Sequence, residues 1–269
     1  MAINVKVMGI ININDDSYFA QSRAIGNDAF CSRAEMLIEQ GVDIIDIGAC
    51  STRPGSSYID KKEEWKRLGP VLKQYKNKYY NTPLSIDTFR SEIVERVYDF
   101  LGPFIVNDIS AGEDDLKMLA SVGNIGLNYI AMHKRGTPNT MQGLCDYEDV
   151  VTDIIKYFKN FEKKAEDNGV INFIIDPGFG FAKTVDQNYQ MLARLSEFKV
   201  LNREILVGIS RKSMIYCLLG ITPEEALPAT SALHLQALLS GANILRVHDV
   251  KEAKQSVALF DRISYFCRG

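Results

Sequence analysis

Eight polar clusters punctuate this 269-residue chain, and nearly every one closes a short apolar run. They are Asn12, Ser51-Thr52-Arg53-Pro54-Gly55, Asp87, Asn107-Asp108, His133, Asp176-Pro177-Gly178, Ser210-Arg211-Lys212-Ser213 and Arg246-Val247-His248-Asp249. Arg246 and His248 lie two apart, so on an extended segment their side chains point the same way. With Arg211 and Lys212 ending the run before, they suit a phosphate or pyrophosphate; the bland alternative is an ion pair with Asp249. Asp87 and Asp176, taken singly, are good helix N-caps. Two on one face, with Asn107 between them, suit a donor-rich heterocycle, because a carboxylate accepts two parallel N–H bonds from a guanidine-like edge. Asn12 offers turn chemistry, or an oxygen for Mg2+, which needs few protein ligands when phosphates supply the rest.

The elements that must position these groups repeat. Apolar runs at Val5–Ile11, 44–47, 84–86, 104–106, 127–132, 173–175, 205–207 and 244–245 read as strands. Their continuous apolarity fits strands buried on both faces, as in parallel sheets. Helical patterns follow near 28–40, 61–79, 90–101, 114–121, 147–167, 186–197, 224–240 and 250–264. Strand then helix, eight times at roughly 30 residues per unit, predicts a (β/α)8 TIM barrel over residues 1–269 as a single α/β domain. Strand C-termini line the catalytic face of such a barrel, and the polar clusters sit there. The rival is an open doubly wound sheet, whose Gly-x-Gly-x-x-Gly turn is absent after the first strand.

Composition narrows the function classes. A formal net charge of −3 gives no basic footprint for nucleic acid. Lys61-Lys62-Glu63-Glu64 reads as a solvated helix start. Five scattered cysteines, with no Cys-x-x-Cys, argue against a disulfide framework or a zinc knuckle and for a reducing compartment. No secretory signal and no bilayer-length apolar run are present, so no membrane partner and a cytoplasmic location are expected. His234, within an apolar helix, reads as structural. His133 alone makes no metal site, and no His-x-His follows the first strand.

Across almost its full length the chain resembles the dihydropteroate synthase family. The matching stretches are Met8-Gly9-Ile10-Ile11-Asn12, Asp46-Ile47-Gly48 through Ser51-Thr52-Arg53-Pro54-Gly55, Ser85-Ile86-Asp87-Thr88, Asn107-Asp108-Ile109-Ser110, Met132-His133 with Gly136-Thr137-Pro138 and Thr140-Met141-Gln142, Asp176-Pro177-Gly178-Phe179-Gly180-Phe181, Gly208-Ile209-Ser210-Arg211-Lys212-Ser213 and Arg246-Val247-His248-Asp249-Val250. The resemblance implies a homodimeric transferase of folate synthesis. It would join 6-hydroxymethyl-7,8-dihydropterin diphosphate to 4-aminobenzoate and release pyrophosphate. By that likeness Asp87, Asn107, Asp176 and Lys212 would hold the pterin. Asn12, Arg246 and His248 would hold the diphosphate and Mg2+, with Asn12 as the metal's protein ligand. Thr52, Arg53, Pro54, Phe181, Lys212 and Ser213 would border the aminobenzoate pocket, which is also the sulfonamide pocket. Asp87, Lys212, Arg246 and Asn12 would carry catalysis.

Elementary chemistry agrees with such an assignment. An aromatic amine is a weak nucleophile that needs no strong base, so the barrier is better lowered by helping the diphosphate leave, in an SN1-like displacement. The first loop departs from the family's usual Asn-x-Thr-Pro-Asp-Ser-Phe: here it reads Asn12-Ile13-Asn14-Asp15-Asp16-Ser17-Tyr18. Loss of the proline frees a φ angle, and Asp15 adds a negative charge beside the expected diphosphate. This departure motivates an alternative, a non-catalytic pterin-binding paralogue. A pterin-dependent methyltransferase is a second alternative, but it would have no use for the Ser-Arg-Lys-Ser and Arg-x-His groups.

Overall fold

The computed structural model describes residues 4–13, 26–50, 59–137 and 139–267. Eight strands run β1 Lys6–Asn12, β2 Ile44–Gly48, β3 Leu84–Asp87, β4 Ile105–Asp108, β5 Asn128–Met132, β6 Phe173–Asp176, β7 Leu206–Val207 and β8 Ile244–Val247. Every pairing between neighbours is parallel, in the order β6-β5-β4-β3-β2-β1-β8-β7. A parallel bridge between Ile175 and Ile205 joins the two ends, so the sheet closes into the expected barrel. Closure removes the sheet's free edges.

Most strands extend one or two residues beyond the apolar runs, through the polar residue that follows. Asn12, Gly48, Asp87 and Asn107 are paired in one continuous register across β1 to β4. A polar residue inside the ladder has its side-chain direction fixed by the pleat, as one in a loop does not.

Register also fixes how the barrel is filled. Inward residues of a (β/α)8 barrel stack in layers of four, drawn from alternate strands. The lowest layer here is Ile44, Ile105, Ile174 and Ile244, from the even strands. Above it lie Met8, Ser85, Ile130 and Leu206, from the odd strands. The isoleucines, Met8, Ile130 and Leu206 form one apolar cluster. The next even layer is Asp46, Asn107, Asp176 and Arg246, and every member is polar. The change from hydrocarbon to charge within one step of the barrel marks the floor of a site.

Among the described residues, nine α-helices surround the barrel: α1 Asn27–Glu39, α2 Lys61–Lys78, α3 Ser91–Leu101, α4 Met118–Ile125, α5 Val150–Asp167, α6 Val185–Ala193, α7 Ser213–Leu219, α8 Leu227–Ser240 and α9 Val250–Cys267. On α5, Val150, Ile154, Phe158, Phe161 and Ala165 are buried along the face their spacing predicts. α6 begins with a Thr184–Gln187 capping box. Its pattern ends early and continues as a 3-10 segment, Leu195–Leu201.

Two expectations shift. α4 starts at Met118, not near residue 114, because Asp115 is used elsewhere: its Oδ2 accepts from the Ser91 backbone N–H at 2.8 Å and from Ser91 Oγ at 2.7 Å. Glu64 is not on a solvated face. It is fully buried, accepts a hydrogen bond from Thr88 Oγ1 at 2.7 Å and pairs with Arg90. Charge-rich composition hid a buried ion pair linking α2 to the loop after β3.

Helix α4 meets the end of α5 backbone to backbone. A Cβ at Gly123 would lie 1.8 Å from the Asn168 carbonyl oxygen, and that backbone has no side-chain freedom with which to yield. Gly123→Ala is therefore expected to destabilise the fold by about 1–3 kcal/mol, as overpacking does, read as a lower midpoint in chemical denaturation.

Candidate active site

The site rises from the polar layer. Asp46 is completely buried and faces Arg246 across the barrel interior. Arg246 donates from Nε to Asp46 Oδ2 at 2.7 Å, and its Nη2 lies 2.6 Å from the same oxygen. That Nη2 also donates to Asp87 Oδ2, one layer higher, at 2.7 Å. Asn107 Nδ2 lies 3.3 Å from both oxygens of Asp46. One guanidinium thus ties two carboxylates together. Burial works against its charge, but Asp46 and Asp87 outweigh burial and hold the Arg246 pKa above its usual value.

Asp87 closes β3 inside the ladder with its side chain 11% exposed, at the top of the network. Burial pushes its pKa up to about 7; Arg246 opposes the rise, and the nearby carboxylates of Asp46, Glu64 and Asp108 add to it. Neither strand-end aspartate caps a helix. Arg90 precedes α3 without a side-chain cap, and Thr184 caps α6. The capping alternative is thereby removed for both. Asp176 accepts the Gly178 N–H at 2.8 Å through Oδ1. Its pKa is raised by burial against the pull of Lys212.

Lys212 and Phe181 approach from the loops after β7 and β6. Lys212 Nζ donates to the Phe179 carbonyl at 2.5 Å and stands 4.8 Å from the centre of the Phe181 ring. Burial lowers its pKa to about 8, with Asp176 holding part of its charge. Ser213 follows as the first residue of α7. Around the polar floor, Cys50, Phe89, Ile109 and Met132 form an apolar collar, with Ile59 and Phe181 packed on it. A polar floor under apolar walls suits a flat heterocycle with hydrogen-bonding edges.

On the β1 side Gly48 keeps the cavity open. A Cβ there would lie 3.5 Å from Asn12 Oδ1 and 3.6 Å from Asp87 Oδ2. His248, beyond β8, is held neutral: burial first, then Arg246, Arg33, Arg211 and Lys212, lower its pKa to about 3. Thr52, Arg53 and Pro54, and the altered loop residues Asn14 to Tyr18, lie outside the described residues.

Three other groups serve the scaffold. Arg211 does not join the cationic cluster the sequence suggests. It is buried, at φ 52°, and makes a two-point contact with Asp249, Nε to Oδ2 at 2.8 Å and Nη2 to Oδ1 at 3.0 Å. Asp249 is therefore Arg211's partner, and Arg246 is left to the barrel interior. Asp108 points the other way from Asn107 and accepts from Ser110, Gly112 and Tyr129. His234 is buried in α8, as expected of a structural histidine; burial lowers its pKa to about 4.

Sequence reasoning missed two residues. Asp46 interrupts the apolar run Ile-Ile-Asp-Ile, a signal that was readable, since a carboxylate inside a buried strand must find a partner. Lys183 gave no such signal. Its ammonium is buried under the β6 loop and donates to the carbonyls of Gly178 and Phe181, both at 2.9 Å, with His133 Nδ1 at 3.2 Å. Burial lowers its pKa to about 7. Gly178 makes that loop possible: at φ 74° a Cβ would sit 1.9 Å from the His133 carbonyl.

Among the described residues no cluster of three or more His, Cys, Asp or Glu could hold a metal ion. None of the helices among the described residues is long and apolar enough to cross a membrane.

Known proteins share this architecture and match the chain over nearly its whole length. The family model described as "pterin binding enzyme" matches residues 8–248. The dihydropteroate synthase of Escherichia coli K12 is 36% identical over 257 residues, covering 95% of this chain and 90% of that one. The crystal structure of Yersinia pestis dihydropteroate synthase with a sulfonamide drug complex superposes with a TM-score of 0.92 at 32% identity, covering 98% of this chain and 96% of that one. Xanthomonas albilineans dihydropteroate synthase with 4-aminobenzoic acid gives a TM-score of 0.87, also at 32% identity, with coverages of 97% and 93%. The family match spans the strand ends from β1 to β8, and the barrel and its relatives agree over nearly their whole length: this chain belongs to the pterin binding enzyme family.

Proposed function

We propose that this protein is a transferase that condenses 6-hydroxymethyl-7,8-dihydropterin diphosphate with 4-aminobenzoate to give 7,8-dihydropteroate and pyrophosphate. The observation that carries the reading is the polar layer under an apolar collar, within a chain whose relatives are dihydropteroate synthases. We read residues 1–269 as one domain devoted to this reaction.

Asp87, Asn107 and Asp176 present acceptors to the N–H edge of the pterin, and Lys212 donates to the same ring. Charge on Asp87 and Asp176 favours positive charge developing at the ring methylene as the diphosphate departs. Arg246 spends Nε and Nη2 on Asp46 and Asp87, so as a diphosphate ligand it acts through Nη1, with His248 near enough to feel its charge. A neutral His248 offers one N–H without adding charge. Phe181, Lys212 and Ser213, with Thr52, Arg53 and Pro54, border the aminobenzoate pocket, where a sulfonamide would compete.

The oxygens Asn12 Oδ1 and Asp87 Oδ2 both border the space over Gly48. Hard oxygen donors with room beside them fit Mg2+, so Asn12 would hold the ion together with substrate oxygens. When bound, Mg2+ neutralises charge on the departing diphosphate.

The reading extends to assembly and location. Leu259, Ile263 and Phe266, at i, i+4 and i+7 on α9, are 59%, 40% and 66% exposed and form a stripe on its outer face. A second copy of the chain is the occupant that fits the resemblance to a homodimeric family. No disulfide joins any of the five cysteines, as a cytoplasmic location would have it.

Pyrophosphate release that depends on both the dihydropterin diphosphate and 4-aminobenzoate, with dihydropteroate formed, is the expected result with purified protein and Mg2+. Pterin binding without release would favour the non-catalytic paralogue. A second prediction concerns pH. Lys212 is charged below its lowered pKa, so kcat/KM should fall as pH rises through about 8. Lys212→Arg, which stays charged, should remove that limb in whatever activity it retains. A third concerns assembly: Leu259→Glu with Ile263→Glu should convert a dimer to a monomer in sedimentation velocity, with the far-UV spectrum unchanged.

A further inference from the structure

We propose that Asp46 is a positioning residue for the pterin: it turns the Asn107 carboxamide so that Oδ1, an acceptor, faces the cavity, and it anchors the guanidinium of Arg246 beneath the ring. The inference rests on the proposed function for the identity of the ligand. Its geometry rests on the barrel alone.

A planar carboxamide has a donor end and an acceptor end, and its two orientations have nearly the same shape. Something must choose between them. In the polar layer, Asn107 faces a carboxylate that can only accept, and its nitrogen lies 3.3 Å from both oxygens of Asp46. The reverse orientation would set a carbonyl oxygen against two carboxylate oxygens in a fully buried site. Asp46 therefore commits Nδ2 downward and leaves Oδ1 to the ligand. With the carboxylates of Asp87 and Asp176, the cavity then presents acceptors on three strands. Such a surface recognises a ligand edge made of N–H groups and rejects one made of carbonyls.

Arg246 needs the same residue. Without Asp46, its Nε would lose its acceptor in the barrel interior, and its Nη2 would rest on Asp87 alone. Asp87 would then be drawn further into the ion pair and away from the ligand. Asp46 holds both neighbours while remaining out of ligand reach, with its side chain 0% exposed.

The test uses the full-length protein, titrated calorimetrically with 6-hydroxymethyl-7,8-dihydropterin, in three variants: Asp46→Asn, Asn107→Asp, and both together. Asp46→Asn should weaken binding at least about tenfold, because the new carboxamide no longer dictates the orientation of Asn107. Asn107→Asp alone should also weaken it, by setting two carboxylates against each other. The double variant keeps the layer's net charge, leaves an amide oxygen at position 46 to accept from Arg246 Nε, and restores an acceptor at position 107. It should recover affinity to within a few-fold of the parent, a rescue that a purely structural role for Asp46 would not produce.

Parental affinity in Asp46→Asn, or a folded double variant that binds no better than Asp46→Asn, would overturn the proposal. If a single variant fails to fold, the double variant compared with the parent carries the same decision. Exchange of the Asn107 side-chain amide protons, followed by NMR, needs no ligand. Protection in the parent and its loss in Asp46→Asn are expected, and rapid exchange in the parent would refute the assigned orientation. A parent protein that binds no pterin would count against the proposed function, while the exchange measurement still decides the role of Asp46.

Discussion

A buried positive charge shared by two carboxylates sits at the centre of this barrel, and the site is arranged around it. Arg246 reaches inward from β8, Asp46 from β2 and Asp87 from β3. Burying these charges singly would cost several kcal/mol each, and losing one partner of such a set typically costs about 3–5 kcal/mol. The groups are tolerated together because β8 and β2 flank β1 in the sheet, so that Arg246 and Asp46 project from alternate strands onto one face. Closure between β6 and β7 then carries Asp176 to the other side of the same guanidinium. The polar floor is thus a consequence of strand order, register and closure together, and it constrains every strand that contributes to it.

Above that floor, the pleat separates recognition from support. Of each strand-end pair, one residue faces the barrel interior and the next faces the helices. Asn107 points inward, whereas Asp108 points outward and gathers the Ser110, Gly112 and Tyr129 donors that fold its loop. Asp87 points inward, whereas Thr88 donates to the buried Glu64. Chemically similar residues one position apart have different duties because a strand has a period of two.

The loop after β6 shows what such support accomplishes. Lys183 is a buried ammonium held by two carbonyls and an imidazole nitrogen. Charge-assisted bonds of this kind are stronger than neutral ones, and they fix the carbonyl groups of the segment that presents Phe181. The same segment supplies the Phe179 carbonyl that receives Lys212. Rigid placement of the loop fixes the aromatic wall and the neighbouring ammonium together, which matters because misplacement by about 1 Å can cost a hundredfold in rate.

The sequence alone determined the eightfold repeat, the barrel class and the face that carries the polar groups, because periodicity and the placement of strand ends are local properties of the chain. It also pointed to Asp87, Asn107, Asp176, Lys212, Arg246, His248 and Asn12, since polar residues that end buried runs need a reason to be there. Tertiary structure decided the rest. It showed that Asp46 shares a layer with Asn107, Asp176 and Arg246, a fact that depends on the stagger between strands about 200 residues apart in the case of Asp46 and Arg246. It assigned Arg211 to Asp249, buried Glu64, whose sequence neighbourhood reads as a solvated helix start, and buried Lys183, which gave no signal in the sequence. Pairing of charges across a closed sheet is set by register and closure, and neither is written in any local stretch of residues.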